Sequence, residues 1–396
     1  MNDERCLKPC IGFPVPLGGS LLCLLFAAAG LTAWAGQPQT ALREAVRPLA
    51  EGRREGGLAV AVRFADKWTT YSYGQSGNPG RPQLDESTVF EIGSISKVFT
   101  TTLLSHMVRK GEAALEDPVS RYLPEGVKVP RQEDREITLL DLATHSSGFP
   151  RMPANFAPAD PRNPYADYTP EKLYAFLAGY KLPRGIGSQV EYSNLGVGLL
   201  GHLLARRAGV DFDGLVRTRI CRPLGMNDTA VHLTPAMLRR MAQGHDADGK
   251  PAANWDFDAF AGAGGIRSTL RDMMIFMDAN LGHGRAGVVS AMAATHKPRM
   301  AMGKDQVGLA WIVRSAMAAT HKPRVAMGKD QVGLAWIIRD AGGRGMIWHN
   351  GGTGGFASFA GFEPKSGAAV ILLANFAKPD EVTEAGLKVL ETLAGK

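Results

Sequence analysis

The sequence predicts a mixed α/β (α+β) fold. One antiparallel sheet is built from both ends of the chain and flanked by helices, and a mainly helical domain is inserted between them. Three observations predict it. Strand-like runs cluster near residues 58–73 and 332–375. Helical spacings dominate the stretch between. The late runs are joined by short turns, as antiparallel neighbours are. The expected division is a sheet domain over 36–112 and 288–396 and a helical domain over 113–287, with the active site between them.

The elements follow in order. Gln39–Glu55 is polar with Leu42, Val46 and Leu49 at helical spacing, so a surface helix is expected. Leu58–Phe64 and Trp68–Tyr73 flank a turn holding Asp66 and read as a hairpin. Over Ser94–Lys110, Phe99, Leu103 and Met107 recur at i+4, and Gly111 ends the pattern, which predicts a helix. Helices are expected over Pro170–Tyr180, Leu195–Ala208 and Thr269–Leu281. Phe149–Pro170 holds six prolines and reads as a long surface loop. Strands are expected over Val332–Arg339, Met346–His349, Gly355–Phe362 and Ala368–Asn375. A last helix begins at Pro379-Asp380-Glu381, with Val382, Val389, Leu390 and Leu393 on its apolar side.

Composition bounds the function. The 396 residues are 45% hydrophobic and 21% charged, ordinary for a globular protein. The net charge of +7 is spread along the chain, without basic runs or interleaved aromatics, so no nucleic-acid surface is indicated. Leu21–Ala35 is uncharged and ends in Ala33-Trp34-Ala35, which fits a cleaved signal peptide over 1–35. It is shorter than the roughly 20 residues of a membrane span, so no stable span is expected after cleavage. Cys6, Cys10 and Cys23 fall in the leader and leave Cys221 alone, so the mature fold cannot rest on internal disulfides. The expected location is periplasmic or secreted, and the expected state is monomeric.

One feature is unusual. Ser290–Arg314 recurs as Ser315–Arg339, differing only at Met300/Val325 and Val313/Ile338. Two copies are too few for a solenoid. The pattern is a tandem duplication inside a complete fold. The second copy is expected to supply the strand before 346–349, since the hairpin through Asp340–Gly345 ties it there. The first must bulge out or add at an edge.

Three short motifs carry candidate chemistry. Ser94-Ile95-Ser96-Lys97 follows a strand-like run and opens a helix. That placement exposes the hydroxyl near free backbone N–H groups, with Lys97 on the same face. Burial and the helix dipole both disfavour a charged Lys97, and a neutral amine accepts a proton. Alone, Ser94 reads as a helix cap and Lys97 as a solvated surface lysine. Tyr192-Ser193-Asn194 offers a phenol that exchanges protons and an amide that donates to a carbonyl. Alone, it is a loop tyrosine packed on the core. His349-Asn350-Gly351-Gly352-Thr353 places a histidine before a glycine-rich strand. No Walker pattern and no H-E-x-x-H motif is present, so neither a phosphate loop nor a catalytic metal is indicated.

In this order and at these spacings, S-x-x-K, Y-x-N and H-x-G together resemble the serine β-lactamase and penicillin-binding superfamily. More narrowly, the sequence resembles the class C β-lactamases and their relatives, the D-alanyl-D-alanine carboxypeptidases and family VIII esterases. FEIGSISKVFT, LLDLATHSSGF, YSNLGVGLLG, PLGMNDTAV, GGIRSTLRDM and NGGTGGFASF extend the likeness over nearly the whole mature chain. The resemblance implies an acyl-enzyme on Ser94, with Lys97 and Tyr192 sharing proton transfer. It implies substrate contacts from Asn194, His349, Gly351, Gly352, Thr353 and Asn375, with the Ser94 and Gly352 amides as an oxyanion hole. It implies no cofactor. The implied partner is a small β-lactam or a D-Ala-D-Ala-like peptide. His349 stands where class C enzymes carry lysine. A peptidase, an esterase and a penicillin-binding module without turnover stay open beside a β-lactamase.

Overall fold

The computed structural model describes residues 44–395 except 52, 54, 133–134, 302–329 and 341–343. The expected signal peptide over 1–35 lies outside the described residues. The main elements in chain order are β1 (Gly57–Phe64), β2 (Lys67–Gly74), β3 (Val89–Glu91) and α1 (Ser96–Arg109). Then come α2 (Leu139–Ala143), α3 (Pro170–Gly179), α4 (Asn194–Ala208), β4 (Arg267–Thr269), α5 (Leu270–Asn280) and α6 (Ala286–Thr295). The chain closes with β5 (Met300–Ala301), β6 (Gln331–Val332), β7 (Ile337–Asp340), β8 (Gly345–Gly352), β9 (Ala357–Glu363), β10 (Ala368–Ala374) and α7 (Pro379–Ala394).

Among the described residues, eight strands form one sheet in the order β2-β1-β10-β9-β8-β7-β6-β5, with every neighbouring pair antiparallel. The first and last strands of the chain therefore lie side by side, with Leu58 opposite Ala374. β1, β9 and β10 are buried almost throughout, because helices cover both faces. Alternation then sorts side chains to the two layers. Ala59, Ala61, Ile371 and Leu373 face the larger core, and Leu58, Val60, Val62, Val370 and Leu372 face α7. Val382, Val389, Leu390 and Leu393 of α7 are buried on that side. Burying each such side chain is worth roughly 1.5–3 kcal/mol. Among the described residues, no helix is long and apolar enough to cross a membrane.

Local departures have physical causes. The expected helix over 39–55 is described only from 44, and its regular part is Arg47–Ala50 with Pro48 in the first turn. The expected strand over 332–339 is broken between β6 and β7. There Ala335 takes φ 57°, Leu334 O accepts from the Thr101 hydroxyl at 2.9 Å, and Ala335 N–H donates to Ala143 O at 3.0 Å. The residues between β6 and β7 leave the ladder to bond the helices beneath.

The duplication is divided between the two copies. The first copy supplies most of α6 and all of β5, and the second supplies β6 and most of β7. β7 pairs with β8, and β5 lies at the sheet edge. Residues 302–329 between them lie outside the described residues.

Candidate active site

Three segments meet where β8 borders the helices. The first is the turn carrying Ser94. Gly93–Ile95 is a single 3₁₀ turn leading into α1, and Gly93 has φ +50°, a conformation favouring glycine. Ser94 keeps 9% exposure, whereas Lys97 is fully buried. Lys97 Nζ lies 2.9 Å from Ser94 Oγ and donates to Ala263 O at 2.6 Å. Burial, followed by the nearby Arg151 charge, holds the Lys97 amine well below its usual range. An uncharged amine is an acceptor, so its lone pair is available to the serine proton.

The second segment is the N-terminus of α4. Ser193 caps it, its hydroxyl accepting from Gly196 N at 2.8 Å. That cap fixes Tyr192 just outside the helix, with Lys97 Nζ 4.8 Å from its ring centre. The Tyr192 hydroxyl is buried and turned toward Ser94, without a fully aligned hydrogen bond among the described residues. Burial raises its pKa well above the usual tyrosine range, so the phenol is protonated at neutral pH. Asn194 sits in the first turn with Nδ2 3.6 Å from Met152 Sδ and Oδ1 unpartnered among the described residues.

The third segment is β8. His349 is 1% exposed, and its Nδ1 lies 2.5 Å from Asn350 O. A carbonyl only accepts, so Nδ1 carries the proton and Nε2 presents a lone pair. Nε2 has no partner among the described residues. Burial, and then the neighbouring Lys97, push this histidine down to about 3, so it is neutral. Asn350 turns to the other face and donates to Thr383 Oγ1 at 2.9 Å, as strand alternation requires.

The glycines of β8 answer to the nucleophile turn. A Cβ on Gly351 would lie 2.1 Å from Ile92 O. A Cβ on Gly93 would lie 2.6 Å from Gly352 N. The Ser358 hydroxyl, opposite Gly351 on β9, donates to Ile92 O at 2.8 Å. The strand is thus pressed against the turn, and the Gly352 backbone reaches the residue next to Ser94. Thr353 opens the tight β8–β9 turn, its N–H donating to Phe356 O at 3.0 Å, and its buried hydroxyl lies against Glu91.

The side chain of Asn375, expected to contact substrate, is turned into the protein. It is fully buried. Its Oδ1 accepts from Gly57 N at 2.6 Å, and its Nδ2 lies within 2.8–3.3 Å of Gln243 O, Ser76 O and Gln75 O. Both ends of the amide are engaged in joining β1 to two loops, leaving nothing for a ligand.

Two neighbours of the site were not expected. Arg151 lies 6.0 Å above the Tyr192 ring, on the proline-rich loop. His145 packs against the same ring, with centroids 4.6 Å apart. Neither stands out in sequence, since an arginine on a loop and a lone histidine have many ordinary explanations.

The Beta-lactamase family profile matches residues 42–394. A beta-lactamase of Pseudomonas fluorescens is 29% identical over 83% of this chain and 91% of its own. The D-alanyl-D-alanine-carboxypeptidase/endopeptidase AmpH of Escherichia coli K12 is 37% identical over 56% of each chain. Among solved structures, a beta-lactamase/D-alanine carboxypeptidase from Yersinia pestis complexed with citrate superposes with TM-score 0.75 and 23% identity, covering 91% of this chain and 98% of that one. A class C beta-lactamase gives TM-score 0.73 at 21% identity, over 91% of this chain and 96% of that one. The chain belongs to the beta-lactamase family of serine hydrolases, which work through an acyl-enzyme.

Proposed function

We propose that the protein is an exported hydrolase that acylates itself on Ser94, and that its substrate is a β-lactam opened at the ring amide. The observation that carries this is the 2.9 Å contact between Ser94 Oγ and a fully buried Lys97 whose charged form is disfavoured. In this reading neutral Lys97 takes the Ser94 proton as Oγ bonds to the carbonyl carbon. The oxyanion is held by the Ser94 and Gly352 amides. Preorganised donors of this kind are each worth roughly 2.7–4 kcal/mol of barrier. Tyr192 gives its proton to the leaving nitrogen and regains one from Lys97. Water then cleaves the ester and frees Ser94. Asn194 and the β8 edge at Gly351 and Thr353 hold the substrate amide.

A second reading, a D-alanyl-D-alanine carboxypeptidase or small-ester hydrolase, is favoured by His349. A neutral histidine with a buried lone pair cannot give the ionic contact that lysine gives a carboxylate, and of these substrates the small ester is the one that needs no such contact.

The test is a hydrolysis panel of a cephalosporin, a carbapenem, a p-nitrophenyl ester and a D-Ala-D-Ala peptide, with Ser94→Ala as control and intact mass as a second readout. A transient adduct that Ser94→Ala abolishes supports the hydrolase. A permanent adduct means binding without turnover. Full activity in Ser94→Ala defeats the mechanism. Recovery of the protein in the periplasmic fraction tests export.

A further inference from the structure

His145 holds the Tyr192 segment, and its own backbone is in an unfavourable conformation. Helix α2 is opened by a capping box between Thr138 and Asp141. It closes with His145 N donating to Leu142 O at 3.3 Å and Ser146 N donating to Asp141 O at 2.8 Å. This pair of bonds is the Schellman closure, whose left-handed position belongs by preference to glycine. Here it is occupied by His145 at φ 59°. A side chain in that conformation costs about 1–2 kcal/mol, so glycine would serve the helix better.

The side chain and carbonyl of His145 both hold the tyrosine segment. His145 O accepts from Glu191 N at 2.8 Å, and His145 Nδ1 accepts from Ser193 N at 3.1 Å. Tyr192 lies between these two anchored amides. Its ring is covered by the imidazole at 4.6 Å and a tilt of 31°. His145 is 4% exposed, and burial keeps it neutral, well below its usual range. Nδ1 therefore stays an acceptor at neutral pH.

We propose that His145 is a positioning residue for Tyr192: it clamps the backbone on both sides of the tyrosine and backs the ring, so that the phenol stays over Lys97 and beside Ser94. It touches no reacting atom. The proposal rests on the reading of Tyr192 as the proton carrier for Ser94 chemistry. A misplacement of about 1 Å in such a group can cost about 100-fold in rate.

The variant that separates positioning from folding is His145→Gly, which suits the left-handed backbone but lacks the acceptor and the ring. It should still fold cooperatively, because the backbone relief of about 1–2 kcal/mol offsets much of the loss of an acceptor for the buried Ser193 amide. Its kcat should fall about 100-fold with KM changed less than about threefold, measured on a substrate turned over by the parent and by labelling of Ser94 with a fluorophosphonate. His145→Asn tolerates the same backbone and restores an acceptor, so it should regain at least about tenfold of the lost rate. In a Tyr192→Phe background, His145→Gly should cost less than about threefold further. A stable His145→Gly protein labelled as fast as the parent overturns the inference, as does full additivity with Tyr192→Phe. Should His145→Gly not fold, a His145→Asn protein no faster than His145→Ala overturns it instead. Labelling that persists in Ser94→Ala overturns both this inference and the underlying function. Normal Ser94 dependence with an unimpaired His145→Gly overturns this inference alone.

Discussion

Excising residues 302–326 should leave a protein that folds, keeps its activity and is more stable. β5 comes from the first copy of the duplication and β6 from the second, with Ala301 opposite Gln331. Residues 302–330 join them. Removing 25 residues, one repeat unit, leaves Ala301 followed by Met327-Gly328-Lys329-Asp330 and Gln331. The new junction Ala301–Met327 repeats the dipeptide Ala301-Met302 of the parent. The connection becomes a four-residue hairpin loop, a common length for antiparallel neighbours. Shortening it about sevenfold, at about 0.6 kcal/mol per halving, removes about 1.7 kcal/mol of closure entropy. Urea unfolding, fitted with a common slope, measures the difference. The expected gain is about 1–2 kcal/mol with turnover within about twofold of the parent. A loss of stability would refute the reasoning, because it would mean that 302–326 contributes packing the fold requires.

Four further predictions follow from the site and core. Lys97→Met should fold and lose about 10²–10⁴ in acylation rate, the usual contribution of a positioned base, seen by stopped-flow or intact mass; undiminished acylation would assign the base elsewhere. Gly351→Ala places a methyl 2.1 Å from Ile92 O, a backbone atom, so the Ser94 turn must shift. About 1–3 kcal/mol of stability and most activity should be lost, and an unchanged Tm would contradict the packing. Asn375→Ala should cost about 1–3 kcal/mol, since it orphans the buried Gly57 amide, yet leave the KM of the folded fraction unchanged; a raised KM would return Asn375 to the substrate. Burial holds His296 down to about 4. Its folded form therefore binds a proton less readily than the unfolded chain, and stability attributable to it is lost as pH falls from about 6.5 toward 4. The destabilisation of His296→Gln measured at pH 7 should shrink by about 2 kcal/mol at pH 5, and an unchanged difference would place His296 in water.

The elements of this fold were legible because each carries a local signal. Short apolar runs bounded by turns placed the hairpin and the late strands, and 3.6-residue patterns placed α1, α4 and α7 within a residue or two. Ser94, Lys97, Tyr192 and His349 were legible only as a set, through family resemblance. The glycine-rich stretch of β8 is visible in the sequence but its cause is not, because the carbonyl crowding Gly351 belongs to Ile92, on a distant part of the chain.

Periodicities, turn chemistry, the duplicated unit and the residue types able to move a proton can all be read along the chain. Tertiary structure alone decided which of those residues could move one. Whether Lys97 is charged depends on how much water and which charges surround it, and Arg151 comes from a loop far along the chain. Whether Asn375 meets a ligand or the backbone depends on which loops close over it. Why a histidine occupies a glycine's position in the close of α2 is visible only when Tyr192 is packed on it. Solvation and long-range contact set these properties, and neither is encoded within any short window of the chain.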